Sequence, residues 1–480
     1  MGGLPRHDGA EAFLASAERL GEAGPALLGR LLRAGDYADL FLEASTYAGA
    51  TLVAGRVPTW RESSNRVEGL GLRILQGHRQ AFACTADPDP AGWQEAAIRA
   101  TESLPQISVA APRPALQALV TTPLTLPADA PEFLAPLEIR ALLEAYAEAA
   151  FSADAGVTRV EADFRSVTRR TALASSEGAF YAQAATRIEM RVSITLAPAG
   201  PAPGFSLRGS CTGFGPIFLE RPEVLAREAV DHARAQRDAR SATAGPCPIV
   251  LAGGWGGVVL HEAIGHALEA DIAGDGVLAG PRPVGVRLAP PAVTLVDDPT
   301  ASGRRGSARF DDEGVPTTRT LLIDAGVRVA VLADRLSAAR WGVPVTASGR
   351  RQDYRCSPQT RMSNLCLLPG DTPPEDLFHG IAHGLFVRRP GGGQYDPRSG
   401  AFSVDLVEAY AIEDGRVTGP VRGGRLAGTG PAMLQGIRGV GDAMEWDAGH
   451  GYCEKNGQIV PVGTAMPPIR IDNLVVEPGG

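Results

Sequence analysis

Residues 257–273 read GVVLHEAIGHALEADIA, with His261-Glu262 followed by His266. Two imidazoles beside a carboxylate are the parts of a hydrolytic zinc site, but the common arrangement puts the second histidine four residues after the first. Here the step is five. On an ideal helix each residue advances about 100°, so a four-residue step brings two side chains within roughly 40° and a five-residue step leaves them roughly 140° apart. A shared metal therefore requires a helix that is not ideal. A single π-type bulge within a helix over about 257–272 takes up one extra residue, returns the pair to one side, and is a distortion favoured at functional sites. Gly265, directly before His266, reduces crowding at that point. Glu262 then projects between the rings, where a carboxylate can take a proton from metal-activated water.

A catalytic zinc also needs a third protein ligand and an open position for water. Glu269 is the local candidate. His379 and His383, four apart in FHGIAHGLFV, are a second, although a pair at that spacing more often serves packing. Cys453 is a third; it lies in GHGYCEKNGQ, which reads as a Gly-rich polar loop in which a core role for the thiol is not evident. His450 in the same segment is a lesser alternative. The residue pattern alone leaves these open.

The 480 residues suggest two or three domains, and 44% apolar with 21% charged residues is ordinary for a globular chain. Net charge is -8, and Lys455 is the only lysine, which reads as codon bias. No basic, aromatic-studded stripe appears, so direct nucleic-acid binding is not expected. The N-terminus lacks a cationic start leading into an apolar core, and no apolar run of about 18 residues occurs, so a cytoplasmic protein without membrane attachment is expected. Six cysteines without a CxxC pair do not form a disulfide framework; most read as inert core thiols.

Along the chain, apolar periodicity predicts helices over 10–34, 90–103, 136–150 and 221–238. Between them lie strands in DLFLEASTYAGATLVAGRV, GLGLRILQGHRQAFACT and 157–196, clearest in RIEMRVSITLAP. A Pro-rich spacer covers 104–130, and APAGPAPG at 197–204 is a turn or loop. The texture changes around Ser241–Pro246. We therefore expect an α+β protein: a mixed α/β N-terminal domain, 1–240, and a β-rich C-terminal domain, 246–480, that carries the metal-binding helix. The second half opens with PIVLA and the GGWGG cluster, then runs through short strand-like segments interrupted by one helix near 373–385, with a hairpin turn at Glu413-Asp414-Gly415.

The motifs GWGGVVLHEAIGHALEAD, FDDEGVP (310–316), RMSN (361–364), GLFVRRPGGGQYDPRSGAF (384–402), EAYAIEDGRVTGPVRGGRLAG (408–428) and CEKNGQIVPVG followed by IRIDNLVV occur in common order. In these the chain resembles the TldD/PmbA metallopeptidases, also known as modulators of DNA gyrase, and specifically the TldD branch with its five-spaced histidine pair. The N-terminal half agrees more loosely, around Gly35–Phe41. The resemblance implies one zinc per chain on His261, His266 and Cys453, with Glu262 as the catalytic glutamate. It implies substrate-cleft segments at Arg361, Met362, Ser363 and Asn364 and at Gly391, Gly392, Gly393 and Gln394, whose alternative reading is tight turns needed by the fold. It also implies a homodimer, or a heterodimer with a PmbA-like subunit, enclosing a cavity in which unfolded peptides or modified-peptide precursors are cut. Where the family pattern has Gly-Lys after the cysteine, this chain has Glu454-Lys455, which would add a negative charge beside the metal. Iron(II) is an alternative metal on ligand type. A metal amidase and a non-catalytic scaffold or regulatory subunit are the alternative functions, the scaffold disfavoured because a structural zinc needs no base.

Overall fold

Ile188, Met190, Val192, Ile194 and Leu196 alternate with Arg187, Glu189, Arg191 and Ser193, and a period of two sends the sets to opposite faces of a sheet. A computed structural model of the chain describes residues 8–55, 57–104, 115–121, 136–198, 200, 203–212, 220–273 and 285–478. In it the apolar set is buried. The strand Ala179–Leu196 belongs to a seven-stranded sheet ordered Arg79–Thr85, Thr59–Gln76, Tyr37–Ala54, Val157–Ser175, Ala179–Leu196, with Val120–Thr121 and Gly204–Ser210 both pairing with the last. The four long strands are antiparallel in extended register, with Phe41 opposite both Gly71 and Leu173, and Asp163 opposite Arg191. Helices Asp8–Leu31 and Pro90–Glu102 bury Phe13, Leu20 and Trp93 against Leu40 and Leu72. Helices Pro136–Ala153 and Pro222–Asp238 pack Leu143, Tyr146 and Val230 on Val160, Ile188 and Val192. Each such fully buried large side chain contributes about 1.5–3 kcal/mol.

The opposite face of this sheet is largely polar, with Phe41, Leu173 and Tyr181 as an apolar patch against Tyr354, and the C-terminal half covers it. Asp39 and Glu43 are buried there, two and six positions beyond Tyr37 on the same face. Arg73, fully buried, bonds Asp39 Oδ2 through Nε at 2.8 Å and reaches Glu313 Oε1 at 2.6 Å; Arg351 Nη2 lies 3.2 Å from Asp39. The hydroxyls of Tyr37 and Tyr181 donate to the carbonyls of Glu313 and Asp311, at 3.1 and 2.7 Å. Arg169 sits between Glu43 and Asp312. The FDDEGVP motif is thus a polar plug that docks the second half onto the first.

In that second half, strands Gly245–Leu251, Ile469–Pro478, Gly424–Thr429, Ala401–Glu413 and His383–Tyr395 pair in this order, and the last pairs back with the first, closing a ring of five. Six short strands, including Leu295–Asp297, Asn364–Leu367 and Gly463–Met466, make a second sheet. The turn at Asp414-Gly415 is present, with φ of 50° and 74°. The helix expected near 373–385 is not: turns occupy the segment, Gly380 takes φ of 72°, and His383 already begins a strand paired with Glu413. Long-range pairing overrides the local apolar period there. A helix forms instead at Arg335–Trp341, where the Asp334 side chain caps the Ser337 amide at 2.8 Å and Gly342, φ 64°, ends it. Most of the Pro-rich spacer and part of 197–204 lie outside the described residues. The six cysteines are free thiols; only Cys366 and Cys453 are buried, so the core-thiol expectation holds for fewer than anticipated. No helix among the described residues is long and apolar enough to cross a membrane.

Removing one member of a buried ion-pair network leaves its partners' charges unsolvated. Arg73→Met should therefore cost about 3–5 kcal/mol in urea unfolding. A loss below about 1 kcal/mol would show that the interface does not depend on this pairing.

Candidate metal centre

The segment that carries the histidines leaves the five-stranded ring at Leu251, turns through Gly254 with φ of 61°, and changes its winding three times in quick succession. A 3-10 turn, Gly254–Gly256, leads to an α-turn, Gly257–Leu260, then a π-turn, His261–Gly265, then a second 3-10 turn, His266–Leu268. The wide turn is where the five-residue spacing requires it. It brings the two imidazoles to 4.9 Å between centroids at 85°. The continuous helix expected to 272 is broken, because Glu269 is extended (φ -82°, ψ 125°) before the short turn Ala270–Ala273. Glycine is needed at 265 for packing: a Cβ there would lie 2.2 Å from Met362 Sδ.

Cys453 arrives from a strand, Tyr452–Lys455, which corrects the loop reading. It pairs with Gln458–Pro461 through Asn456-Gly457, φ 51° and 73°, the left-handed pair of a two-residue hairpin. Alternation along this strand buries Cys453 and Lys455 and turns Tyr452 and Glu454 outward. The added charge of Glu454 therefore lies on the solvent face of the hairpin, away from the histidines. Cys453 Sγ is 3.4 Å from His266 Nε2, and one donor atom each from His261, His266 and Cys453 lie within 4.8 Å of one another. Burial alone would raise the thiol pKa, but His261 and then His266 draw it well below the ordinary value. His261 Nδ1 is buried with no hydrogen-bond partner among the described residues. Two imidazoles, a thiolate-prone sulfur and an orphaned buried nitrogen make a donor set suited to zinc.

Behind this set stands a chain of charge. His266 Nδ1 is 3.0 Å from Glu269 Oε2, which also receives Lys455 Nζ at 2.8 Å, while Glu269 Oε1 accepts the Met362 amide at 3.2 Å. Lys455 further donates to Asp271 at 2.8 Å and to the Thr360 carbonyl at 2.9 Å. Burial pushes the Glu269 carboxyl up, yet Lys455 and then His266 outweigh it and leave the pKa well below the usual range. Burial likewise opposes charge on His266, and Glu269 overcomes it, raising the imidazole to about 10. Glu269, one of the candidates for the third ligand, is thus engaged on the far ring nitrogen of His266. A carboxylate placed this way orients a ligating imidazole and raises its basicity.

Glu262 is 15% exposed and its Oε2 lies 4.0 Å from His266 Nε2. A Cβ on Gly393 would stand 2.4 Å from Glu262 Cγ, so the glycine run of the His383–Tyr395 strand makes room for this carboxylate. Gly391 and Gly393 are half-buried, and Gly392 and Gln394 are exposed. The RMSN segment is different: none of Arg361, Met362, Ser363 and Asn364 exceeds 4% exposure. Arg361 donates to the carbonyls of Cys453 and Gln458, Ser363 Oγ bonds Asp297 at 2.6 Å, and Asn364 accepts the Gly306 amide at 2.9 Å. These side chains are spent inside the protein, which favours the fold-supporting reading over direct contact with a substrate. His379 and His383 are exposed, and His450 packs on Trp255 at 4.6 Å, its pKa driven by burial down to about 3. The roles of Lys455 behind His266 and of Gly393 against Glu262 are visible only in the fold; the Asn456-Gly457 pair beside the only lysine is the one sequence signal for the first.

Losing the ammonium strands a buried carboxylate. Lys455→Met should lower stability by about 3–5 kcal/mol, and adding Glu269→Gln should restore part of it. Strictly additive losses in urea unfolding would contradict this coupling.

Against known proteins, residues 38–104, 129–237 and 244–478 match in order domain 1, the central domain and the C-terminal domain of the PmbA/TldA metallopeptidases. The chain is 33% identical over 460 residues to a metalloprotease TldD homolog of Haemophilus influenzae, covering 92% of each. It is 32% identical over 448 residues to a metalloprotease of Methanothermobacter thermautotrophicus, covering 92% of this chain and 95% of the relative. A relative from Saccharolobus solfataricus, 32% identical over 48% of this chain and 52% of its own length, is named a zinc metalloprotease TldD homolog. Among solved structures, TldE from Thermococcus kodakarensis shares the fold at a TM-score of 0.71 and 19% identity, over 95% of this chain and 100% of the other. Three matched domains in order and 33% identity over 92% of the chain to a named metalloprotease place this chain in the PmbA/TldD metallopeptidase family.

Proposed function

We propose that the chain is a zinc-dependent peptidase in which His261, His266 and Cys453 hold the metal and Glu262 is the general base. The observation that carries this reading is the convergence of three donor atoms within 4.8 Å beside a carboxylate accommodated by Gly393. A zinc bound there would supply Lewis acidity toward the scissile carbonyl and an activated water. Glu262 accepts the proton of the attacking water and delivers it to the leaving amine. Glu269 and Lys455 hold His266 in its orientation, and Arg361 holds the backbone of Cys453. Iron(II) is the second metal these ligands accept.

An extended peptide is the substrate this site suits, lying along Gly391–Gln394 with its reacting bond at Glu262. Arg361–Asn364 form the support beneath it. The wider setting rests on family resemblance: a cytoplasmic dimer, either of this chain or with a PmbA-like subunit, whose enclosed cavity admits unfolded peptides or modified-peptide precursors and excludes folded proteins.

Glu262→Gln should keep zinc and fold while losing about 10²–10⁴ in turnover on an unstructured peptide. Unchanged turnover would remove Glu262 from the mechanism, and zinc-loaded protein that cleaves no peptide even with its partner would favour a scaffold. Cys453→Ser should lose most of the zinc, whereas Cys84→Ser should keep it; full zinc in the Cys453 variant would place the third ligand elsewhere. Sedimentation should give a dimer as the active species, and an active monomer would contradict the enclosed cavity.

A further inference from the structure

A cavity of about 860 Å³ lies between the polar face of the N-terminal sheet and the C-terminal half. Neither the three donor residues nor Glu262 lines it. The Arg361–Asn364 segment divides it from the metal centre, with Met362 packed against Gly265 and Ser363 on the cavity wall.

Among the described residues, five arginines line the cavity: Arg169, Arg187, Arg304, Arg309 and Arg350. Its carboxylates, Asp311 and Asp312, are already engaged. Asp311 accepts the amides of Glu313, Val315 and Gly349 at 3.0, 2.9 and 3.0 Å. Asp312 faces Arg169 at 3.3 Å and accepts the Arg351 amide at 2.8 Å. Among the described residues, Arg169 is the one cavity arginine in an ion pair. Arg187 donates to the Arg305 carbonyl at 2.9 Å, and Arg350 to the carbonyls of Met362 and Pro461 at 2.6 and 2.7 Å. Burial pulls the pKa of both guanidinium groups down to about 10; Arg305 adds to the effect on Arg187, while on Arg350 the charge of Asp312 opposes it and that of Arg187 adds to it. Arg304 and Arg309 are exposed and lie over Trp446 and Phe310, at 4.3 and 5.9 Å.

Half-buried guanidinium charges whose direct hydrogen bonds go to neutral carbonyls carry a solvation cost that an oxyanion offsets, and their planar forks match carboxylate and phosphate oxygens in pairs. We propose that this cavity binds a ligand bearing clustered oxyanions, held by Arg187 and Arg350 at its wall and by the exposed Arg304 and Arg309. Two sources share that chemistry: an acidic peptide segment and a small free polyanion.

Calorimetry on the zinc-loaded protein with inorganic tripolyphosphate, a Glu-rich peptide and its Gln-rich counterpart separates them. At least one anionic probe should bind once per chain, with the neutral peptide silent. Affinity should fall about tenfold or more in Arg187→Gln and Arg350→Gln, and comparably in the double variant Arg304→Gln/Arg309→Gln, whose exposed positions do not threaten folding. Zinc content should not change. Bound ligand should also protect Cys211, on the cavity wall, from alkylation. Binding of the Glu-rich peptide alone assigns the cavity to acidic peptide segments, and of tripolyphosphate alone to a small anion. No binding of either at millimolar concentration, or unchanged affinity in the folded variants, would overturn the proposal.

Discussion

The arrangement of the site depends on one buried contact, Lys455 Nζ to Glu269 Oε2 at 2.8 Å. Lys455 and Cys453 are two apart on a strand and so face the same way. Glu269 follows the 3-10 turn that begins at His266 and bonds that imidazole in turn. Fixing the lysine on the glutamate therefore fixes the sulfur on the histidine, across 187 positions of sequence. A buried charge left alone would be costly, so the three groups hold each other in place: the ammonium needs the carboxylate, and the carboxylate draws proton density toward the ring. The only lysine of the chain, which composition alone suggests is a relic of codon bias, is a part of this support.

A second constraint is the extra residue between the histidines. A uniform helix would turn one ring away; the chain instead widens at His261–Gly265 and tightens at His266–Leu268. Such irregular winding is tolerated because the packing around it is specific. Gly265 admits Met362, and Gly393 admits Glu262. The RMSN and GGGQ segments thus meet the site at different residues of this turn, one as support and one as the edge along which substrate is proposed to lie.

What could be read in the sequence follows how local each signal is. The His261-Glu262…His266 spacing already demanded a wide turn, and the period-two alternation of RIEMRVSITL gave the buried face of its strand. Residues separated widely in the chain were less accessible. Arg73 and Glu313, 240 positions apart, carry no mark of their pairing, so FDDEGVP was legible as a motif but not as an interdomain plug. The helix expected near 373–385 failed because strand pairing with Glu413 is invisible locally. Cys453 was misplaced in a loop because its polar, glycine-rich surroundings outweighed the Asn456-Gly457 hairpin signal. Polar residues such as Arg361 and Asn364 suggested a cleft because sequence does not tell a solvated polar group from one satisfied inside the fold.

X-ray absorption at the metal edge of zinc-loaded protein reads the ligands themselves. A metal on His261, His266 and Cys453 should show one sulfur at about 2.3 Å with the remaining nitrogen and oxygen ligands at about 2.0–2.2 Å, and should lose the sulfur shell in Cys453→Ser. A shell made of nitrogen and oxygen alone in the unaltered protein would contradict this ligand set.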